Sequence, residues 1–560
     1  MCGILFCATQ SKETSKEQFS NLLQLLHHRG PDNQSTWSHS TQTENVYVGH
    51  TRLAIVGVED GTQPIVSTCG NYVLSVNGEI YNYETLWSEL SEKGYTRNLK
   101  TDCEVILPLY QEYGSECVKH LDGIFSFVLY DKQKNSILIA RDRIGVLPCY
   151  VGFNSSEFWV SSECKCLLSS QTIEVLPPGH SMYATLNTLL QKESNIESLC
   201  KNYDQDAFWR SSTFVSDKRF LPQILEETKD VLIRAVEKRL MADVPFGVLL
   251  SGGLDSSLVA SIANRIQTQK GYGPIHTFSI GLPGSPDLIA AKKVADFLGT
   301  HHHEYTFSVE EGLSHLKKLV WHLETYDITT IRASLPMYLL SKHIHEDGFK
   351  MVLSGEGADE ILGGYLYFHN APYLYDFHEE CKRRINELHH FDCLRANKST
   401  MAWNIEARVP FLDKDVLDSF VKIAPTWKRG SDKRVKKYKC MEKWILRCAF
   451  DDENLPFLPQ EVLWRQKEQF SDGVGYSWID GLKEYTKNHE SVQSFPENQR
   501  EKEFYKNLFY SQFPRKETQT PIEIKTWVPR TDWKGVHEDP SGRAQSTHVA
   551  SYDGVSVNSG

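Results

Sequence analysis

The chain has 560 residues, of which 40% are hydrophobic and 24% are charged. This composition is typical of globular domains and excludes a collagen-like, fibrous or wholly disordered protein, and the length predicts two or more domains. The formal net charge of -11 repels a phosphate backbone, so we expect no nucleic-acid partner.

The N-terminal stretch and the cysteines predict a cytosolic protein. No run reaches the ~18 apolar residues of a membrane span, and residues 11–14 (SKET) interrupt the stretch where a signal peptide needs its apolar core. We therefore expect no membrane partner. The thirteen cysteines lack repeated CxxC spacing, which favours reduced thiols over a disulfide framework or a zinc site.

Short alternating strands dominate the first third of the chain. The candidate strands are residues 46–49, 72–76, 125–130, 137–140 and 158–160. An amphipathic helix carrying Phe19, Leu22, Leu23, Leu25 and Leu26 is expected to stop at Gly30 and Pro31. This pattern predicts an α+β domain with stacked sheets over residues 1–190, followed by a polar linker over residues 191–206.

The pattern then changes to buried apolar strands, each followed by a helix. Residues 247–250 precede the apolar-periodic stretch 258–266, residues 351–353 form a similar strand, and residues 373–512 are mainly helical. This predicts an α/β domain over residues 207–515, with helices on both faces of a parallel sheet. Residues 516–560 form a C-terminal extension, of which about the last 20 are expected to be loosely ordered. A basic run, residues 433–439, predicts a solvated helix start.

The cysteine at position 2 becomes the N-terminal residue if Met1 is removed. A free α-amino group has a pKa of about 7.7 to 8.0, so it can accept the proton of its own thiol near neutral pH. Position alone means little, because any residue can occupy it. The surrounding motifs therefore decide whether Cys2 is a nucleophile.

Four stretches, residues 1–4 (MCGI), 28–32 (HRGPD), 52–56 (RLAIV) and 77–82 (NGEIYN), resemble the class II glutamine amidotransferases, which are N-terminal-nucleophile hydrolases. The resemblance implies that Cys2 attacks the side-chain amide of glutamine and that ammonia leaves. It also implies that Asn77 and the backbone N–H of Gly78 stabilise the oxyanion. The remaining residues implied at the glutamine site are Arg52 for the α-carboxylate, Glu79 and Asp102 for the α-ammonium, and Leu53, Ala54, Ile55 and Val56.

Two glycine-rich turns each follow an apolar strand, residues 251–257 (SGGLDSS) and 354–360 (SGEGADE). The first opens a helix, so its backbone N–H groups can hold pyrophosphate. The second carries three carboxylates, which would repel a nucleotide unless a hard cation such as Mg²⁺ intervenes. The first turn resembles the pyrophosphate loop of ATP pyrophosphatases, which adenylate a carboxylate. By resemblance, Asp255 and Asp359 are the Mg²⁺ ligands.

Residues 324–334 (ETYDITTIRAS), 406–413 (EARVPFLD) and 464–473 (WRQKEQFSDG) resemble asparagine synthetase of the glutamine-using type, as do the late residues 539–544. The resemblance implies that Thr329 and Arg332 hold aspartate and that Lys467 stabilises charge on the phosphates. Glu356 would orient the acyl-adenylate or accept a proton from ammonia. The implied ATP contacts are Leu250, Ser251, Gly252, Gly253, Asp255, Ser256, Ile280, Ser354 and Gly355.

The expected reaction joins aspartate and ATP to β-aspartyl-AMP and pyrophosphate, after which glutamine-derived ammonia gives asparagine and AMP. The partners are then small molecules, and the resemblance implies a homodimer. One alternative is a related amidotransferase or ligase that adenylates another carboxylate, such as a β-lactam-forming relative. Another is a degenerate interaction protein, against which the intact Cys2, Asp255, Glu356 and Lys467 count.

Overall fold

The computed structural model describes residues 1–11, 14–191, 196–205, 219–430, 441–467 and 470–537. The basic run 433–439, residues 539–544, the end of the chain and parts of the predicted linker lie outside these ranges. Within the ranges, no helix combines the length and apolar character that crossing a bilayer requires.

The first domain contains two antiparallel sheets. Its strands are β1 (Gly3–Thr9), β2 (Asn33–Ser40), β3 (Asn45–Arg52), β4 (Ile65–Val66), β5 (Tyr72–Ile80), β6 (Gly123–Asp131), β7 (Ser136–Arg141), β8 (Tyr150–Phe153), β9 (Glu157–Ser161), β10 (Thr172–Val175), β11 (His180–Thr185) and β12 (Cys200–Asn202). One sheet has the order β10-β8-β9-β1-β3-β2 and the other β12-β11-β7-β6-β5-β4. The five predicted strands lie in β3, β5, β6, β7 and β9, which confirms them.

The two sheets pack face to face through apolar side chains such as Phe6 and Val128. Helix α1 (Lys16–Gln24) covers the outer face of the first sheet, where Phe19 and Leu23 lie against Leu5. Helices α2 (Tyr83–Glu92) and α3 (Ile106–Tyr113) cover the second sheet. The described part of the domain is therefore layered α-β-β-α, and β1 of one sheet contacts β5 of the other across the interface between the sheets.

Strand β12 pairs with β11, although it lies inside the stretch predicted as a linker. The linker prediction is therefore wrong for residues 200–202, and the first domain extends beyond residue 190. An edge strand with the polar residues Lys201 and Asn202 carries no clear apolar alternation, so its pattern resembles that of a loop.

The second domain is built on a parallel sheet. Its described strands are β13 (Phe246–Leu249), β14 (His276–Gly281), β15 (His301–Thr306), β16 (Met351–Leu353) and β17 (Glu406–Arg408), in the order β15-β14-β13-β16-β17. The further helices of the chain are α4 (Leu186–Leu189), α5 (Ile196–Leu199), α6 (Leu221–Lys238), α7 (Leu254–Gln269), α8 (Pro286–Leu298), α9 (Val309–Leu323), α10 (Ile328–Glu346), α11 (Ala358–Leu362), α12 (Leu374–Glu387), α13 (Asp392–Met401), α14 (Lys414–Lys422), α15 (Pro425–Lys428), α16 (Trp444–Ala449), α17 (Gln460–Leu463), α18 (Phe470–Gly473), α19 (Tyr476–Asn488) and α20 (Arg500–Gln512).

Helices cover both faces of this sheet, as predicted. Helix α7 packs on one face through Leu258 and Ile262, and α9 and α10 pack on the other through Leu319 and Leu335. Strands β13 and β16 are neighbours, so the two glycine-rich turns that follow them meet at one edge of the sheet. Strand β17 was not predicted, because the region around it is mainly helical.

Candidate functional site

Cys2 is buried immediately before β1. Its backbone N–H donates to Asn77 Oδ1 at 2.7 Å, and the Leu53 N–H lies 3.5 Å from its Sγ. Its carbonyl oxygen accepts from Arg29 Nε at 3.0 Å. Burial raises the pKa of the Cys2 thiol, whereas the nearby N-terminal ammonium and the Leu53 N–H lower it.

Met1 precedes this cysteine and is itself buried. Its ammonium pairs with the Glu406 carboxylate, and its Sδ lies 2.8 Å from Asn397 Nδ2. Both partners belong to the second domain, so the start of the chain reaches the domain boundary. A free amine on Cys2, which the predicted chemistry needs, requires the removal of Met1.

Asn77 and Gly78 follow each other on β5, beside Cys2. Asn77 is fully buried, and its Nδ2 has no hydrogen-bond partner among the described residues. Gly78 has φ of +147°, and a Cβ there would lie 2.1 Å from the Ile124 carbonyl oxygen. A buried amide donor with no acceptor, next to a thiol, has the chemistry that a developing oxyanion needs.

Arg52 lies at the end of β3, where its guanidinium donates to the carbonyl oxygens of Val56, Gly57 and Val58. These bonds fold the loop of residues 53–58 back on the arginine. The predicted residues Leu53, Ala54, Ile55 and Val56 are buried in that loop. The contact between Arg52 and a glutamine carboxylate stays a prediction.

Glu79 and Asp102 are buried carboxylates, and burial raises the pKa of each. Asp102 accepts from the Ile80 N–H at 2.6 Å. Glu79 Oε1 lies 3.1 Å from Arg408 Nη2, and Arg408 belongs to the second domain. This arginine lowers the pKa of Glu79 and partly opposes the effect of burial.

A cavity lies at the edge of the parallel sheet where the two glycine-rich turns meet. Its wall includes the predicted residues Leu250, Ser251, Asp255, Ser256, Ile280, Thr329, Ser354, Gly355, Glu356, Asp359 and Lys467. The turns are in contact, because a Cβ on Gly355 would lie 2.7 Å from the Ser256 backbone nitrogen. The structure therefore gathers most of the predicted synthetase residues around one space.

A smaller cavity adjoins the first around the turn 251–257 and includes the predicted Gly253. Its basic lining residues are Lys443, Arg447, Arg465 and Lys467. Helix α7 begins in the same turn, so the free N–H groups of its first turn add to the positive potential. This end of the site therefore carries the positive charge that binding a polyphosphate requires.

Gly252 is part of the same turn but is not among the described residues that line either cavity. Its carbonyl oxygen accepts a hydrogen bond from Arg465 at 3.2 Å.

Asp255 and Asp359 share the ammonium group of Lys443, which lies 2.5 Å from Asp255 Oδ2 and 2.6 Å from Asp359 Oδ1. Lys467 lies 2.8 Å from Asp359 Oδ2. Burial alone would raise the pKa of Asp359, but Lys443 and Lys467 hold it well below its usual range.

These carboxylates fit Mg²⁺, because Asp255 Oδ1 is buried and has no hydrogen-bond partner among the described residues. No cluster of three or more His, Cys, Asp or Glu side chains in the described ranges could hold a metal ion. Magnesium in nucleotide sites commonly uses only one or two carboxylates and takes further oxygens from phosphates and water. Two aspartates beside a phosphate-binding turn meet that requirement.

Glu356 accepts from Arg395 Nη2 at 2.6 Å, and Arg395 also lies 2.7 Å from Asp392. Both partners belong to α13 and line the large cavity. Burial raises the pKa of Glu356, and Arg395 partly offsets this. A carboxylate with a raised pKa in a cavity is suited to accept a proton.

The two predicted aspartate-binding residues are placed differently. Thr329 lines the cavity, and its hydroxyl has no hydrogen-bond partner among the described residues. Arg332 is not part of the described wall, and it forms a two-point ion pair with Glu501 at 2.9 and 2.5 Å. Its contact with aspartate stays a prediction and requires the guanidinium to leave Glu501.

Comparison with known proteins identifies the family of this chain. A glutamine amidotransferase domain model matches residues 1–202, and an asparagine synthase model matches residues 227–376 and 375–529. A probable glutamine-hydrolyzing asparagine synthetase of Schizosaccharomyces pombe is 48% identical, with 98% of this chain and all of the relative covered. One from Dictyostelium discoideum is 46% identical with the same coverage. The chain belongs to the glutamine-hydrolysing asparagine synthetase family.

The similarity to solved structures is weaker. One, described as the allosteric regulatory enzyme of purine biosynthesis, matches with a TM-score of 0.31 and 11% identity, covering 54% of this chain and 80% of that chain. Membership of the asparagine synthetase family therefore rests on the sequence matches, which extend over both sites.

Several residues near the two sites of this asparagine synthetase family member were not predicted. They are Lys443, Arg395, Asp392, Arg408 and Glu406. The last two lie in the quoted motif 406–413, which supported the resemblance but suggested no role for either residue. Asp392 and Arg395 are three residues apart on one helix, a spacing that allows an ion pair. This spacing was the only feature of the sequence that could have pointed to these two residues.

Proposed function

We propose that this protein makes L-asparagine from L-aspartate, with ATP as the activating substrate and L-glutamine as the nitrogen donor. It is a carbon–nitrogen ligase that also forms AMP, pyrophosphate and L-glutamate. One observation carries the proposal: a cysteine site suited to release ammonia and a cavity suited to consume it occur in one chain and both contact α13. The α-β-β-α layering supports a first domain of the N-terminal-nucleophile hydrolase type, and the turn 251–257 supports an ATP pyrophosphatase type for the second.

In the first half-reaction, the amine of mature Cys2 takes the thiol proton, and Sγ attacks the side-chain amide carbon of glutamine. Asn77 Nδ2 and the Gly78 N–H stabilise the oxyanion, and ammonia leaves. Water then cleaves the thioester to give glutamate and restore the thiol. The buried Glu79 and Asp102 supply negative charge for the substrate ammonium, while Arg52 supplies positive charge for its carboxylate.

In the second half-reaction, the β-carboxylate of aspartate attacks the α-phosphorus of ATP, and pyrophosphate leaves toward the basic residues around the turn 251–257. Leu250 and Ile280 give the cavity an apolar wall suited to the base. Mg²⁺, when bound by Asp255 and Asp359, neutralises phosphate charge. Ammonia then attacks the acyl carbon, Glu356 accepts a proton, and AMP leaves.

Pyrophosphate release tests the proposal directly. The protein would be supplied with ATP, Mg²⁺, ammonium and one carboxylate at a time, including aspartate, glutamate and a β-amino acid. We expect release that depends on aspartate and is matched by asparagine. Release that is independent of aspartate, or that depends on a different carboxylate, would overturn the assignment.

We also propose a homodimer located in the cytosol, as the resemblance implies. Sedimentation velocity of the purified protein should give twice the mass of one chain. A concentration-independent monomer would contradict this part of the proposal.

A further inference from the structure

The segment of residues 513–537, called here the C-terminal strap, contains neither helix nor strand and lies against both domains. Its first part is fixed to the first domain at residues 168–172. Arg515 donates to the carbonyl oxygens of Leu168 and Gln171 at 3.0 and 2.9 Å, and the Thr520 N–H donates to the same Gln171 oxygen at 2.9 Å. Gln519 Nε2 adds a bond to Leu168 O at 2.9 Å.

The later part of the strap is fixed to the second domain. The Trp527 backbone N–H donates to Asp327 Oδ1 at 2.7 Å, and Arg384 Nη2 donates to the Val528 carbonyl oxygen at 2.5 Å. Asp327 is the N-cap of α10, and its other oxygen accepts from the Thr330 N–H at 2.8 Å. The strap therefore holds the helix start that carries Thr329.

Trp527 lines the synthetase cavity together with Thr329, Glu356 and Tyr365. It is 9% exposed, its ring centroid lies 6.0 Å from that of Tyr365, and the Arg384 guanidinium lies 4.1 Å from the ring centre. An aromatic side chain held by a cation on one side and a tyrosine on another is a rigid wall. The wall belongs to a segment for which we predicted no function.

We propose that the C-terminal strap completes the synthetase cavity, where the Trp527 side chain keeps water from the acyl-adenylate. This rests on the function proposed above. The adenylate can react with ammonia, or with water at the same acyl carbon. Attack by water breaks the bond between that carbon and the phosphate oxygen and returns aspartate and AMP, so ATP is spent without asparagine.

The ratio of pyrophosphate to asparagine therefore tests the strap. Ammonium replaces glutamine as donor, which removes the first site from the measurement. The unmodified protein should give a ratio near one. Trp527→Ala should raise the ratio to about 3 or more, because water enters a cavity that the indole had closed. The KM for aspartate should stay within about twofold, because Trp527→Ala keeps the backbone N–H that donates to Asp327 at the start of α10.

Trp533→Ala is the matched control. Trp533 lies in the same strap and packs 6.1 Å from the Tyr367 ring, but it is not part of the described cavity wall. We expect its ratio to stay near one. Trp527→Phe keeps an aromatic wall of smaller size and should give an intermediate ratio, so it provides the test if Trp527→Ala does not fold.

A ratio near one in a folded Trp527→Ala or Trp527→Phe protein would overturn the strap proposal. An equal rise in Trp533→Ala would also overturn it, since the effect would then be general loosening. Failure of the proposed function would appear differently, as pyrophosphate release by the unmodified protein that does not depend on aspartate.

Discussion

In the proposed mechanism Cys2 acts only in ammonia release, and it is not among the described side chains that line the synthetase cavity. We therefore expect Cys2→Ala to abolish glutamine-driven synthesis, because the nucleophilic Sγ is lost. Ammonia-driven synthesis should stay within about twofold, since Cys2 forms no part of the described cavity wall. Both rates are measured as asparagine formation, once with glutamine and once with ammonium as the nitrogen donor. Loss of both activities would show that the two chemistries are not separable.

His50 gives a second prediction at the level of one side chain. It is completely buried beside Ser75, whose Oγ lies 2.9 Å from its Nδ1, and burial lowers the pKa of His50 to about 3. Below its ordinary pKa of 6.5, the unfolded chain binds a proton there and the folded chain does not. Stability therefore falls as the pH decreases from about 6.5 toward 3, by up to ~1.4 kcal/mol per pH unit from this residue.

His50→Gln removes the titrating group, so its free energy of unfolding should depend less steeply on pH between 6.5 and 5. Urea unfolding of both proteins at several pH values measures the difference. Parallel pH dependences for the two proteins would contradict the buried, neutral state of His50.

Helix α13 links the two sites through side chains on opposite faces. Residues 395 and 397 are two positions apart, which is about 200° around a helix. Arg395 contacts Glu356, while Asn397 Oδ1 accepts from Arg29 Nη2 at 3.0 Å, and Arg29 holds the Cys2 carbonyl oxygen. A shift of this helix would therefore reach both sites at once.

Asn397→Leu should lower glutamine-driven kcat/KM by roughly tenfold, because the Arg29 guanidinium loses a charge-assisted hydrogen bond. Ammonia-driven kcat/KM should change by less than about twofold, since the Arg395 face is intact. Asn397→Asp keeps an acceptor oxygen and should recover most of the activity. Steady-state rates with glutamine and with ammonium test this prediction. Equal losses with the two donors would count against a role of Asn397 in positioning Arg29.

Regular elements with a clear apolar period could be predicted from sequence, whereas contacts made by buried charges could not. Strand β16 was predicted with its observed bounds, since Met351 to Leu353 is wholly apolar. Strand β17 was missed because two of its three residues, Glu406 and Arg408, are charged and are buried by pairing with each other at 2.6 Å.

In the candidate sites, too, the positions of the main motifs could be predicted from sequence, whereas the contacts of the buried charges could not. The glycine-rich turns could be placed together, because each follows a strand of one parallel sheet. Lys443, which contacts Asp255 and Asp359, has a left-handed backbone with φ of +55°. A lysine rarely adopts this conformation, and the sequence does not signal it. The pair between Arg332 and Glu501 joins residues 169 positions apart, and only the tertiary fold brings them together.

The two domains are joined by buried ion pairs as well as by apolar contact. Glu324 of the second domain accepts the backbone N–H groups of Cys164 and Lys165 at 2.8 and 2.7 Å. Lys398 on α13 pairs with Glu324 and donates to Tyr150 Oη of the first domain at 2.9 Å. The Lys398 and Glu324 side chains are 0% and 1% exposed, so solvent and salt screen this link only weakly.

Lys398→Met should destabilise the protein by about 3–5 kcal/mol, because Glu324 keeps a buried charge whose close partner is gone. Since that charge lies at the boundary, calorimetry should show the two domains unfolding at separate temperatures where the unmodified protein shows one transition. Lys293→Met is the control: its pair with Glu461 is exposed, and its removal should cost at most ~1 kcal/mol. Similar calorimetric traces for the two variants would show that apolar packing alone holds the domains together.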